Sequence, residues 1–108
     1  MSETELDLLT GLHVPVVSIG LDLPGCSSVS IDDYQASRTA VEHILDLGHT
    51  EVAFIGAALA FSQLVQIPTA RLGAFRDAMA ARGLPVREEW VRATDWTAEH
   101  ARDLCREI

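Results

Sequence analysis

From Val29 to Ala57 the hydrophobic pattern passes from a short continuous run to helical spacing and back, so this stretch predicts strand, helix, strand in a single βαβ module. Val29–Ile31 is the first strand. Asp32 stands where an N-cap belongs, and Gln35 lies three residues on, in the capping-box position. Through the helix Ala36, Ala40, Val41, Ile44 and Leu47 recur on one face, with Gln35, Arg38, Glu42 and Asp46 opposite, so the first set is the expected buried stripe. Gly48 ends it, because glycine takes the left-handed conformation of a helix C-cap without a steric penalty. Val52–Ile55, closed by Gly56, is the second strand. Four apolar residues in a row suit a strand covered on both faces, as in a parallel sheet.

The flanking segments carry weaker versions of the same pattern. Ser2–Leu12 predicts a short helix, with Ser2 and Glu5 spaced as a capping box and Gly11 near its end, and Val14–Ile19 follows as a strand. Pro24 and Gly25 mark a turn in the loop Gly20–Ser28. Ala57–Pro68 is apolar without a period and reads as a loop. A helix opening at about Thr69 has Leu72, Phe75 and Met79 as its buried stripe and Gly83 as its stop. After a connection through Pro85, Trp90–Ala93 predicts a further strand, and Asp95, Trp96 and Thr97 turn the chain into a last helix. There Ala101, Leu104, Cys105 and Ile108 share one face. Alternating strands and helices predict an α/β fold, three-layer, with a mostly parallel sheet and flanking helices. The chain stops at Ile108 on an uncapped apolar face, the pattern of a piece of a longer protein.

Composition narrows the function. The chain has 108 residues, 48% of them hydrophobic, enough for a buried core. Its formal net charge is -8, and all eight basic residues are arginine. The absence of lysine removes the P-loop lysine, Schiff-base chemistry and the lysine of a receiver or kinase site. The acidic balance makes this stretch by itself a poor binder of nucleic acid. Cys26 and Cys105 have no metal-type spacing, and free thiols in a reduced setting are the expectation. The four histidines, His13, His43, His49 and His100, show no metal-ligand spacing either. No nucleophile elbow, GxGxxG or paired-carboxylate motif is present. No metal and no cofactor are expected. With an acidic N-terminus and no membrane-length apolar run, a cytoplasmic protein that does not enter membranes is expected.

The segments VPVVSI, VSIDDYQASRTAVEHILDLGHTEVAFIGA and ARLGAFRDAMAARGL, in this order, resemble the effector-binding core of lactose-repressor-type (LacI/GalR family) bacterial transcriptional regulators. The resemblance rests on Leu47-Gly48-His49 after the helix, the apolar strand ending in Gly56, and Arg71 followed by Gly73, Ala74 and Phe75, and it covers roughly Val14 to the end. It implies a part of a two-lobe, periplasmic-binding-protein-like fold with a small metabolite, a sugar, bound between lobes. On that reading residues 1–31 end the first lobe, residues 32–108 begin a truncated second lobe, and the helix-turn-helix head is absent. Partners implied are a sugar effector, DNA only through the missing head, and a second copy in a homodimer. The rival classes are a transporter's sugar-binding component of the same fold and a small α/β enzyme.

Three residues are candidates for the ligand. Arg71 is expected in the first turn of its helix, where a positive side chain opposes the helix dipole, so a reason other than helix stability is called for. A guanidinium fork suits sugar hydroxyls or a carboxylate, and the family's arginine at this point contacts effector in many members. The plain alternative is an arginine paired with an acid. Trp96 lies after a strand and before a helix, at the C-terminal edge of a parallel sheet, where it stacks on a sugar ring or else is a buried core residue. Asp32, at the crossover, reaches the ligand or simply caps its helix. Ser62 and Gln63 fall on a loop that would line the cleft but cannot be aligned with the family's pattern. Gly20 departs from the family's usual aspartate.

Overall fold

The computed structural model describes residues 3–57 and 66–108, and the chain divides into two units, Met1–Asp32 and Asp33–Ile108. Ser62, Gln63 and the predicted cap Ser2 lie outside the described residues.

In the first unit, helix α1 (Glu3–Thr10) ends where the Gly11 amide donates to the Asp7 carbonyl at 3.0 Å. Strands β1 (Val17–Ile19) and β2 (Ser27–Val29) pair in parallel, Val17 opposite Ser27 and Ile19 opposite Val29. Both differ from the expected strands. β1 begins three residues late, and β2 takes in Ser27 and Ser28 and leaves Ile31 out. The serines are admitted because the ladder needs backbone, not side chains, and Ser28 Oγ also accepts from the Leu23 amide at 3.3 Å. The connection of residues 20–26 is short for a parallel pair. It closes through Gly20, at φ +92°, whose amide donates to the Val29 carbonyl at 2.7 Å. Val17, Ile19 and Val29 stay exposed.

The second unit is built on α2 (Asp33–Asp46), β3 (Phe54–Ala57), α3 (Gln66–Ala81), β4 (Val91–Thr94) and α4 (Ala98–Glu107). Strands β3 and β4 pair in parallel, from Phe54 opposite Val91 to Ala57 opposite Thr94. The second strand thus starts two residues later than expected and runs through Gly56. Trp90 is not in a strand but in a 3-10 turn, Glu88–Trp90, with the Arg87 guanidinium 4.5 Å from its ring centroid. Helix α3 starts at Gln66 rather than Thr69, with Pro68 in the first turn, where its missing N–H breaks no helical bond. It stops as expected at Gly83, at φ +67°. The Leu84 amide reaches back to the Met79 carbonyl at 3.0 Å and the Gly83 amide to the Ala80 carbonyl at 3.0 Å, which is a Schellman closure.

The core gathers Leu45, Phe75 and Met79, with Val41, Val52, Phe54, Leu72, Leu84, Val86 and Val91 around them. The rings of Phe54 and Phe75 pack with centroids 5.4 Å apart. The expected stripe of α2 is largely wrong: Ala36, Ala40, Ile44 and Leu47 are exposed, Leu47 by 66%, while Leu45 is buried. Polar bonds between helices decide the rotation. Tyr34 Oη donates to Asp77 Oδ2 at 2.6 Å and accepts from Arg38 Nη1 at 3.1 Å, and Arg82 pairs with Asp46. Tyr34, Val41 and Leu45 thereby turn toward α3. In α4 Leu104 is buried, whereas Cys105 and Ile108 are not. Both cysteines are free. No helix among the described residues is long and apolar enough to cross a membrane.

Candidate ligand site

A cavity of about 260 Å³ opens at the C-terminal ends of β3 and β4, lined by Ser37, Phe54, Ile55, Gly56, Ala57, Arg71, Thr94 and Trp96. All of these belong to the second unit. In an open parallel sheet this edge is where loops diverge and leave a crevice for a ligand. Two of the three candidates from the sequence, Arg71 and Trp96, are thus brought onto one cavity. Asp32 is the last residue of the first unit and immediately precedes α2, in the position of its N-cap.

The helix dipole does not single out Arg71. With α3 starting at Gln66, Arg71 lies in the second turn, beyond the strongest part of the helix dipole. What holds it is Asp33, the first residue of α2: Arg71 Nε lies 3.0 Å and Nη2 2.9 Å from the same oxygen, Oδ1. The acid-paired alternative is therefore observed, and the same arginine also lines the cavity. Asp33 uses the Nε–Nη2 edge of the fork, which leaves Nη1 outside this contact.

Trp96 is no core tryptophan. It is 66% exposed and has φ +71°, a left-handed backbone that a bulky residue adopts only under local constraint. Its two neighbours supply the constraint. Asp95 Oδ1 accepts from the Thr97 amide at 3.0 Å and from the Thr97 hydroxyl at 2.6 Å, closing a bracket across Trp96. Thr97 in turn caps α4 by accepting from the His100 amide at 3.2 Å. The Thr97 hydroxyl first, then its amide, with His100 contributing less, hold the Asp95 carboxyl below its ordinary value. The Asp95 amide lies 3.2 Å from His100 Nδ1, and Asp95 Oδ1 approaches the same nitrogen to 3.4 Å.

Three lining features escaped the sequence. Thr94 Oγ1 is buried without a hydrogen-bond partner among the described residues, the state of a hydroxyl waiting for an acceptor or donor. Ser37 adds a second hydroxyl, and Gly56 keeps the strand surface low. A Cβ on Gly56 would overlap the Phe54 ring. Only Thr94 could have been suspected, as a polar residue ending an apolar strand. No group of acidic, histidine and cysteine side chains among the described residues is arranged for a metal ion.

Parallel βα units with a cavity of hydroxyls, one aromatic face and one guanidinium at the strand ends define an α/β ligand-binding domain. Residues 41–107 match the periplasmic binding protein-like domain, and the chain belongs to that family. Its relatives are regulators of the lactose-repressor type, as the sequence motifs implied. It is 29% identical to the HTH-type transcriptional regulator DegA of Bacillus subtilis, over 94% of this chain and 30% of that protein. A solved structure described as a ribose operon repressor, from Burkholderia thailandensis, is 39% identical over 80% of this chain and 33% of its own, with a TM-score of 0.65. A sugar-binding transcriptional regulator of the LacI family from Escherichia coli, complexed with phosphate, is 27% identical over 99% of this chain and 40% of its own, with a TM-score of 0.70. The chain thus spans about 30% of the length of the DegA regulator it matches.

Proposed function

We propose that the chain forms part of the effector-binding core of a bacterial DNA-binding transcriptional regulator, a repressor, and that the Arg71–Trp96 cavity is one wall of a sugar site. The observation that carries this is the pairing of a guanidinium fork with an exposed indole across a cavity at the ends of parallel strands. Arg71 donates through Nη1 to ligand hydroxyls, and Trp96 offers its face to a sugar ring. Thr94 Oγ1 gains the partner it lacks among the described residues. The likeness over nearly the whole chain to a regulator named as HTH-type supports the regulatory role.

In this account residues 1–31 end the first lobe and residues 32–108 begin the second, with Asp32 at the junction reaching the ligand. The exposed Val17, Ile19 and Val29 of the first unit support it, since apolar side chains on parallel strands fit a sheet whose faces further helices of a lobe cover. The protein works by binding and not by catalysis, in the cytoplasm, as a homodimer that touches DNA through a helix-turn-helix head outside this segment. Effector closing the lobes shifts the dimer between DNA-binding states, and the coupling is reciprocal. Isothermal titration of the full-length chain with a panel of neutral mono- and disaccharides tests the reading. Saturable binding weakened about tenfold or more by Arg71→Ala is expected, in the range for a charged hydrogen-bond donor. Full affinity retained in Arg71→Ala would remove Arg71 from the site.

A further inference from the structure

Among the described residues the cavity carries a single charged side chain, and that charge is already answered. Of these lining residues only Arg71 carries a charge, and Asp33 Oδ1 takes its Nε at 3.0 Å and its Nη2 at 2.9 Å. The Asp33 side chain is 11% exposed against 47% for Arg71, so the acid is the inner member of the pair and the guanidinium the outer. Such a pair leaves the Nη1 donors of the fork outside its own contact while presenting little net charge. The remaining polar lining among the described residues is neutral: Ser37, the indole of Trp96 and the Thr94 hydroxyl, which has no partner among them. The whole chain, at -8, adds a field that repels anions.

We infer that Asp33 is a specificity-determining residue: by neutralising Arg71 it makes the cavity select an uncharged polyhydroxylated ligand over the phosphorylated form of the same ligand. This rests on the effector role proposed for the cavity. An anion that reaches Arg71 must share it with a carboxylate already at hydrogen-bond distance, and like charges so close repel with little screening in a partly buried site. A neutral hydroxyl accepts from Nη1 without that opposition. The residue acts through Arg71 and needs no contact with the ligand.

Two matched pairs of probes test this on the full-length chain: glucose with glucose 6-phosphate, and ribose with ribose 5-phosphate. Dissociation constants are measured for wild type, Asp33→Asn, Arg71→Gln and the double variant. Wild type is expected to bind the neutral member of a pair about tenfold tighter than its phosphate or better. Asp33→Asn, which keeps size and an acceptor oxygen, moves that ratio toward the phosphate by about tenfold, and the gain disappears in the double variant. Should Asp33→Asn lose its fold by circular dichroism, Arg71→Gln carries the test in the opposite sense: Asp33 is left unanswered, and the phosphate must weaken more than the neutral sugar. A wild type that prefers the phosphate overturns the inference, as does an unchanged ratio in a folded Asp33→Asn. Saturable binding of neither pair by any variant would instead sink the effector reading, and this inference with it.

Discussion

Replacing Trp96 by glycine and by alanine separates the backbone at this residue from its side chain. Both changes delete an indole that is 66% exposed, so both lose the same modest burial. They differ in what φ +71° costs them. A left-handed backbone costs an L residue about 1–2 kcal/mol relative to the right-handed basin, a cost glycine does not bear. Against that, glycine loses about 0.4–1 kcal/mol to alanine through the greater freedom of its unfolded chain. The balance favours Trp96→Gly over Trp96→Ala by about 1 kcal/mol, or roughly 4–8 °C in Tm for a domain of this size. Urea unfolding followed by far-ultraviolet circular dichroism measures it, with Ala98→Gly in the first turn of α4 as a control that must be destabilising. If Trp96→Ala were as stable as Trp96→Gly or more so, the left-handed backbone, and the claim that Asp95 and Thr97 impose it, would be refuted.

Three other outcomes follow from the same geometry. Gly56→Ala sets a methyl against the Phe54 ring, which Phe75 holds in place, so a loss of about 1–3 kcal/mol in chemical denaturation is expected; a neutral result would mean the ring gives way. Met79→Ala, at a fully buried core position, costs about 2–5 kcal/mol in the same assay, and less than 1 would place Met79 outside the core. The Asp95 carboxyl is held below its ordinary value, so its bracket across Trp96 is fully formed above the unfolded-state pKa and is lost as pH falls through the lowered folded value. Trp96 emission in wild type should therefore change in that acid window, and Asp95→Asn should remove the transition; an identical acid transition in Asp95→Asn would show that another group causes it.

What the sequence reveals of this fold is whatever one element decides for itself. Gly48 and Gly83 stop their helices, Thr97 starts the last one, and Phe75 and Met79 fall on the buried side of α3, each from local spacing or backbone need. Helix α2 is read with the wrong face inward because Arg38 counts as an outward residue in a polarity pattern and Tyr34 enters that pattern on neither face. Their hydrogen bonds to one another and to Asp77 make the α2–α3 contact polar as well as apolar. Arg71 lines the cavity, but the dipole argument that singled it out fails: it needs a helix opening near Thr69, and the first turn of α3 lies earlier. Its true partner, Asp33, is 38 residues away, a distance no local rule spans. Thr94 escapes for a similar reason, since an unpartnered hydroxyl exists only once β3 and β4 are paired.

The most direct test of the sugar-site account uses Trp96 as its own reporter. These 108 residues hold two tryptophans, and a Trp90→Phe background leaves Trp96 as the one emitter among them. Titration with neutral sugars should shift or quench that emission saturably for at least one of them, and Arg71→Ala in the same background should weaken the response about tenfold or more. If a sugar binds by calorimetry while Trp96 emission stays unchanged, the ligand lies elsewhere and the cavity between Arg71 and Trp96 is not its site.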